Sequence, residues 1–392
     1  MSLRDRINKF HLTSNNTYAL ISISLCKFLF GFYTMAIGPL LIPIGETFNI
    51  SIRTLSIVFV FNYFGQVVII YFAGLLADRF GKKVIHIVFI ILLMLAALIF
   101  TFINSYIIFL LLFLFMGIFS VSINIIADSS ILDTFDKNRG FYLNIAHAFF
   151  GLGAISSPII FNLVFSRTGD YRTIYLVLLF ISLIVLLLIY FAKYPQVHDE
   201  SIKAKIIIDL VKNKKFVLLI VFAALSFGTL TAISGWVPVL FYKYFNVSPA
   251  LSNYSLAFFW IAVLVGRVST AILSKKVSVL KLIKIINIIS FFVLAISFFL
   301  KDSIYLLIDY LILGLLIGTY PPLLVSYSHE IYNKHSSTRV AMIFSVGSIG
   351  IIIISYLTGF FGDFIAMSKI ISLFSVFFLA YIFIFHRNFK SE

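Results

Sequence analysis

A stretch of about twenty mostly apolar residues, the length that crosses a bilayer's hydrocarbon core as a helix, recurs about twelve times along this chain. Nothing else in the sequence narrows the fold as much. Inside lipid no water is available to the backbone, so a segment of this length must satisfy its own N–H and C=O groups, and the helix does so. The stretches lie near 18–45, 54–77, 84–103, 106–132, 140–165 and 172–192, then near 216–242, 251–274, 280–300, 303–328, 338–360 and 367–386. With 61% of residues hydrophobic, 46 of them Phe, and a mean hydropathy of +1.10, the chain carries more apolar surface than a water-soluble domain can hide. The phenylalanines are expected to face lipid for the most part.

One long polar stretch interrupts the pattern, between the sixth and seventh spans. It holds Pro195, His198, Asp199, Glu200 and several lysines, with a possible amphipathic turn at Ile206–Val211. The chain therefore divides into a six-span bundle over 1–192, a linker over 193–215 and a second six-span bundle over 216–392. An all-α membrane protein of two six-helix halves is the expected fold, and a monomer the expected state.

The net charge of +15 is not the signature of a nucleic-acid partner, because the charge sits in short loops between apolar spans. It reads instead as topology. One set of loops and tails holds Arg4, Arg6, Lys9, Arg79, Lys82, Lys83, Lys137, Arg139, the linker lysines, Lys275, Lys276, Lys281, Lys284, Lys334, Arg339, Arg387 and Lys390. The other set holds only Arg53, Arg167, Arg172, Lys243, Lys301 and Lys369. Lysine and arginine concentrate on the cytoplasmic side, so both termini are expected in the cytoplasm and the protein in the cell's plasma (inner) membrane. The basic N-terminus precedes an apolar run too long for a signal peptide's core and without a small-residue cleavage site. The lone Cys26 lies within a span and excludes an intrachain disulfide or a thiolate metal cluster.

The loop after the second span is the most informative short segment. Gly74-Leu75-Leu76-Ala77-Asp78-Arg79-Phe80-Gly81-Lys82-Lys83 packs four charges into ten residues of a chain in which 11% are charged. Gly81 permits a tight turn, Gly74 is expected to let helices approach, and Asp78 can cap a helix end or pair with a base. A weak echo, Gly266-Arg267 ending in Lys275-Lys276, follows the eighth span, as a repeated six-span unit would leave. The G-x-x-x-D-R-x-G-K-K pattern resembles the loop between helices 2 and 3 of the major facilitator superfamily. Leu143 to Ala154 with Pro158, Ser234-Gly235-Trp236-Val237-Pro238, Phe259-Trp260 with Gly266-Arg267, and Gly318 with Pro321 are similar to segments of its sugar-permease branch, which includes fucose permease. Many relatives in that branch carry an acidic residue before the Trp of helix 7, where this chain has Leu230 and Thr231. The resemblance implies a secondary transporter with a substrate site between two rocking halves. It also implies that Gly74, Asp78, Arg79, Gly81 and Lys82 act as a conformational gate, locking the outward-facing state by pairing across the cytoplasmic interface.

An ionisable residue inside a bilayer costs several kcal/mol or more and marks a functional candidate by default. Lys27, Asp128 and His147 are expected at similar depth from the cytoplasmic side, with Lys27 and Asp128 paired and His147 beside them. A carboxylate next to an ammonium, in a cleft whose water access changes, can exchange a proton, so the three are the candidates for proton coupling. The alternative is a structural ion pair. Arg267, near the inner end of the eighth span, reads as structural and able to snorkel. Asp309, in the outer part of the tenth span, can line an outer cavity. Asn62 and Gln66 share a helix face, as do Asn124 and Asp128, and Asn144 lies one turn before His147. Amides offer donors and acceptors to a hydroxylated solute, and Trp236, Trp260 and Tyr320 offer ring faces; all are candidate substrate contacts. Bridging between helices or a place in the interfacial belt is the alternative for each. Pro39, Pro43, Pro158 and the pair Pro321-Pro322 are expected to weaken their helices.

The sequence carries no phosphate-cradling glycine loop and no paired metal-ligand spacing among its seven histidines, so neither an enzyme nor a cofactor or metal is expected. The expected function is secondary active transport of a small polar solute, a sugar first of all, by alternating access and in symport with protons. A drug or metabolite exporter and an organic-anion carrier, with Lys27 and His147 holding a carboxylate, are the rivals. A non-transporting sensor that kept the fold would have no need of the intact loop or the intramembrane charges. A channel would need a ring of pore carboxylates.

Overall fold

A computed structural model describes residues 14–135, 139–193, 204–332 and 336–389. Among these, twelve helices are long and apolar enough to cross a membrane: Asn16–Phe48, Ile52–Ile70, Lys82–Phe100, Tyr106–Ile131, Tyr142–Thr168, Thr173–Phe191, Lys214–Phe245, Pro249–Leu273, Val279–Ile296, Ser303–Ile331, Thr338–Gly362 and Met367–Asn388. They are numbered here as spans 1 to 12. An even number of spans puts both ends of the described chain on one side of the bundle, called the terminal face; the opposite side is the far face. Arg4, Arg6, Lys9, Lys137, Lys334 and Lys390 lie outside the described residues. In the stretch between spans 6 and 7, the expected amphipathic turn is a helix, Ala204–Lys212, which rests on spans 7 and 11.

The two groups of six spans pack by the same scheme. Span 1 lies against 5, 2 against 4 and 3 against 6, and these are matched by 7 against 11, 8 against 10 and 9 against 12. Backbones touch where small residues face each other. A Cβ on Gly153 would meet the Phe28 carbonyl, and a Cβ on Gly31 the Phe150 carbonyl, which ties spans 1 and 5 together; Gly228 and Gly350 do the same for spans 7 and 11. Without a hydrophobic drive between helices in lipid, such close van der Waals contact is what holds them. Gly74 does not act this way. No atom lies within 4 Å of where its Cβ would stand, because its side of span 2 is open in this conformation.

The prolines divide. Span 10 is two helices, Ser303–Ile317 and Tyr320–Ile331, broken at Gly318-Thr319, with Pro321 and Pro322 in the first turn of the second, where a missing donor costs nothing. Pro39, Pro43 and Pro158, in contrast, sit inside continuous helices, Ser14–Phe48 and Arg139–Thr168. Span 12 is also divided, at Phe374. The phenylalanines are not mostly lipid-facing. Phe102, Phe180, Phe191 and Phe299 point outward, yet Phe100 stacks on Tyr175 and meets Phe109 and Phe113 edge to face in the core of the first six spans, and Phe222, Phe378 and Phe385 cluster with Tyr381 in the second.

Candidate functional site: an ion pair in a one-sided cleft

Span 1 carries Lys27 into the first bundle with none of its side chain accessible. An ammonium there needs partners, and span 4 supplies two from one face: Asp128 Oδ1 at 2.5 Å and Asn124 Oδ1, which accepts from Lys27 Nζ at 2.7 Å. Span 5 adds His147, whose Nε2 is 3.6 Å from Asp128 Oδ1. Unlike Lys27, Asp128 and His147 keep 31% and 40% of their side chains exposed. His147 also lies within electrostatic reach of Arg267 on span 8, which packs against span 5, so this exposed surface borders the cleft between the two bundles. Asn144 is exposed nearby.

Across the cleft, Arg267 donates from Nε to the Gly318 carbonyl at 2.9 Å, at the break in span 10, and its guanidinium lies 5.9 Å from the Trp260 ring. Trp260 is buried and meets Phe150 of span 5 edge to face at 5.6 Å. Toward the far face the cleft narrows. Tyr63 of span 2 faces Thr231 of span 7, and the space between Thr34, Phe59, Tyr63, Thr231 and Gly235 has a volume of about 10 Å³.

Beyond that point the bundles are clasped. The backbone N–H groups of Ile52 and Arg53, which open the helix Ile52–Leu55, donate to the two carboxylate oxygens of Asp363, each at 3.2 Å. The Arg53 guanidinium lies 4.1 Å over the Phe360 ring, and Tyr242 donates to Glu46 at 2.9 Å. On the other flank Asn253 donates to Asn162 at 2.8 Å, and Asn162 donates to the Ala250 carbonyl at 2.8 Å. These hydrogen bonds joining spans 1–6 to spans 7–12 all lie on the far face, beyond the Tyr63 level.

The other residues singled out from sequence are placed away from the open cleft. Asn62 is buried and bonded to Tyr33 and the Phe113 carbonyl, with Gln66 donating to its oxygen at 2.9 Å, so this amide pair bridges spans 1, 2 and 4. Trp236 is buried, donates to the Ser355 carbonyl at 3.0 Å and packs on Phe59, joining span 7 to spans 11 and 2. Tyr320 is buried among Phe222 and Phe378 with its hydroxyl toward Ser290. Asp309 is buried in the second bundle and accepts from the Ser297 hydroxyl. At the loop after span 2, Gly81 makes the turn with φ +93°, Arg79 is exposed, and Lys82 is paired with Asp133 of its own bundle. The Asp78 side chain lies outside the described residues. Sequence reasoning missed Asp133, Asp363 and the Tyr63–Thr231 contact, and it set Arg267 aside. Asp363 carried a signal, an acid immediately after a span on the side poor in charge. Among the described residues no three His, Cys, Asp or Glu side chains gather as a metal site.

A family profile described as Major Facilitator Superfamily matches residues 23–355. The chain belongs to the major facilitator superfamily. Its work is transport, not catalysis. The transporter is 26% identical over 353 residues to a protein called TsgA homolog of Buchnera aphidicola subsp. Baizongia pistaciae (strain Bp), an alignment that covers 89% of each chain. It is 22% identical to the glucose/mannose transporter GlcP of Bacillus subtilis (strain 168), over 85% of this chain and 87% of that one. In fold it is similar to the nucleoside transporter NupG (TM-score 0.79, 11% identity, 95% of this chain and 100% of that one). It is also similar to a D-xylose–proton symporter (TM-score 0.76, 14% identity, 97% and 99%). At such identities the two structures speak for the fold alone.

Proposed function

We propose that the transporter moves a small hydroxylated solute, a sugar in the first instance, by alternating access and in symport with protons. The observation that carries this reading is the Lys27–Asp128 pair, with its ammonium sealed and its carboxylate 31% exposed toward the cleft. An ion pair serving packing alone gains nothing from an open carboxylate, whereas a carboxylate that must take up and release a proton needs a route to water. Asp128 is the proton carrier in this reading. Lys27 and Asn124 hold it, and His147 passes the proton on or responds to it.

Lysine and arginine gather on the terminal face, so that face is assigned to the cytoplasm and the conformation is open inward. Rocking of the halves would then break the clasp of Asp363, Asn162, Asn253 and Tyr242 and close the terminal face around the loop of Asp78, Arg79 and Gly81. The sugar assignment draws support from the GlcP relative, named for glucose and mannose, and from the branch-like segments of the sequence.

The test is uptake of radiolabelled sugars into proteoliposomes, with and without an imposed proton gradient, for wild type and Asp128→Asn. Gradient-driven accumulation is expected in the wild type. In Asp128→Asn it should fall by about 10-fold or more, the scale on which loss of a positioned proton-transfer group acts, while exchange of internal for external sugar persists. Accumulation that is equally gradient-driven in the variant would remove Asp128 from the coupling mechanism.

A further inference from the structure

The two walls of the cleft differ in their charge balance. On the wall formed by spans 1, 4 and 5 the Lys27 ammonium is matched by the Asp128 carboxylate. On the opposite wall Arg267 has no carboxylate partner among the described residues; its one hydrogen bond runs from Nε to the Gly318 carbonyl. That bond fixes the plane of the guanidinium and leaves both Nη groups uncommitted. A guanidinium lining a cleft without a counter-charge gains when an anion arrives and pairs with its free edge. Arg267 also does not snorkel toward the terminal face, as its place in a loop-like repeat suggested, because its head group is tied sideways to the break in span 10.

A second group on the same wall points the same way. Trp260, one helix face with Arg267 and 4% exposed, has its indole Nε1 buried with no acceptor. A buried N–H without a partner is uncommon and expensive. Donors therefore outnumber acceptors on this wall, and an aromatic surface lies between them.

We infer that Arg267 binds an acidic group of the transported solute, so that the solute is a small hydroxylated carboxylate such as a sugar acid. Its carboxylate sits on the Nη edge of Arg267 and its hydroxylated body lies toward the exposed side of His147. The planar guanidinium matches a carboxylate through two parallel hydrogen bonds, which an ammonium cannot reproduce. This inference rests on the transporter reading above, and changes the cargo from a neutral sugar to its acid.

The experiment is equilibrium binding to the purified full chain in lipid nanodiscs, using glucose, glucuronate, glucose 6-phosphate and succinate as probes. Wild type, Arg267→Gln and Arg267→Lys are compared after their melting temperatures show that each is folded. Glucuronate is expected to bind wild type at least ~10-fold tighter than glucose, which corresponds to one charge-assisted contact. Arg267→Gln should erase that preference, and Arg267→Lys, which keeps the charge but not the fork, should recover only part of it. A preference for glucuronate that survives Arg267→Gln overturns the assignment. Equal binding of glucose and glucuronate to wild type overturns it too, and leaves the sugar reading standing. Tighter binding of glucose 6-phosphate than of glucuronate overturns the carboxylate assignment in favour of a phosphate. Succinate binding that depends on Arg267, with no sugar compound bound, keeps the anion contact and ends the sugar reading. Silence from all four probes in folded protein ends both.

Discussion

Lys27 and Asp128 are unequal partners. The ammonium is sealed among spans 1 and 4 while the carboxylate keeps about a third of its surface, so the carboxylate is the member of the pair that water can reach. Removing the ammonium should therefore act on stability first. Breaking a fully buried pair costs about 3–5 kcal/mol, and the open side of Asp128 brings the expectation for Lys27→Met down to about 1–3 kcal/mol. The melting temperature of detergent-purified Lys27→Met should fall by several degrees, and adding Asp128→Asn should restore most of the loss; a double variant no better than the single one would show the two residues to be uncoupled. That these two side chains meet was legible in the sequence, since a charge within a span must find an opposite one and few are on offer. Arg267 was not legible as a cleft residue. Its neighbours in sequence, Gly266 and the later Lys275-Lys276, point to a loop at the membrane surface, and only the bond to Gly318 on another span turns it inward.

At the scale of the helix, glycine has two different uses in this chain. Gly153 is a packing contact, because its missing Cβ leaves room for the Phe28 carbonyl, whereas Gly74 faces open space. Gly153→Ala should push spans 1 and 5 apart and reduce the yield of monodisperse protein in size-exclusion chromatography. Gly74→Ala should leave stability unchanged or raise it by about 0.5–1 kcal/mol, since alanine is the better helix former. A tolerated Gly153→Ala would mean that the two spans are held by contacts elsewhere. The spans themselves were easy to read from the length of each apolar run, within a few residues at the edges. Their internal breaks were not. Pro321-Pro322 does mark a broken helix, but Pro39, Pro43 and Pro158 do not, because a proline's missing hydrogen bond ends a helix only where no neighbour compensates. The phenylalanines misled for a related reason: in lipid an apolar side chain is equally content outside or inside, so composition carries no information about which way it faces.

For the whole molecule, the number of spans and the basic loops between them could be read from sequence, but the face that is shut could not. Closure depends on contacts such as Asp363 with Ile52, separated by 311 residues and unconnected by any motif. The carboxylate sits on the first N–H groups of the helix Ile52–Leu55, where the backbone donors have no partner within the helix. Asp363→Ala should loosen the clasp and populate a far-open form. Spin labels at Arg167 and Lys301, one on the far side of each bundle, should report a longer separation in that variant by electron–electron dipolar spectroscopy. An unchanged distance distribution would show that the asparagine flank, Asn162 with Asn253, closes the face by itself. The native thiol does not interfere, since Cys26 is buried.

The clasp is made of carboxylates and amides meeting backbone N–H groups, a carbonyl, a phenol and one another; it includes no pair of oppositely charged side chains among the described residues. Ions in solution weaken attraction between separated charges far more than short-range contact between a charge and a dipole. The far face would therefore stay shut to much the same degree in fresh water and in brine. A clasp built this way makes the protein indifferent to the saltiness of the medium that its shut face meets.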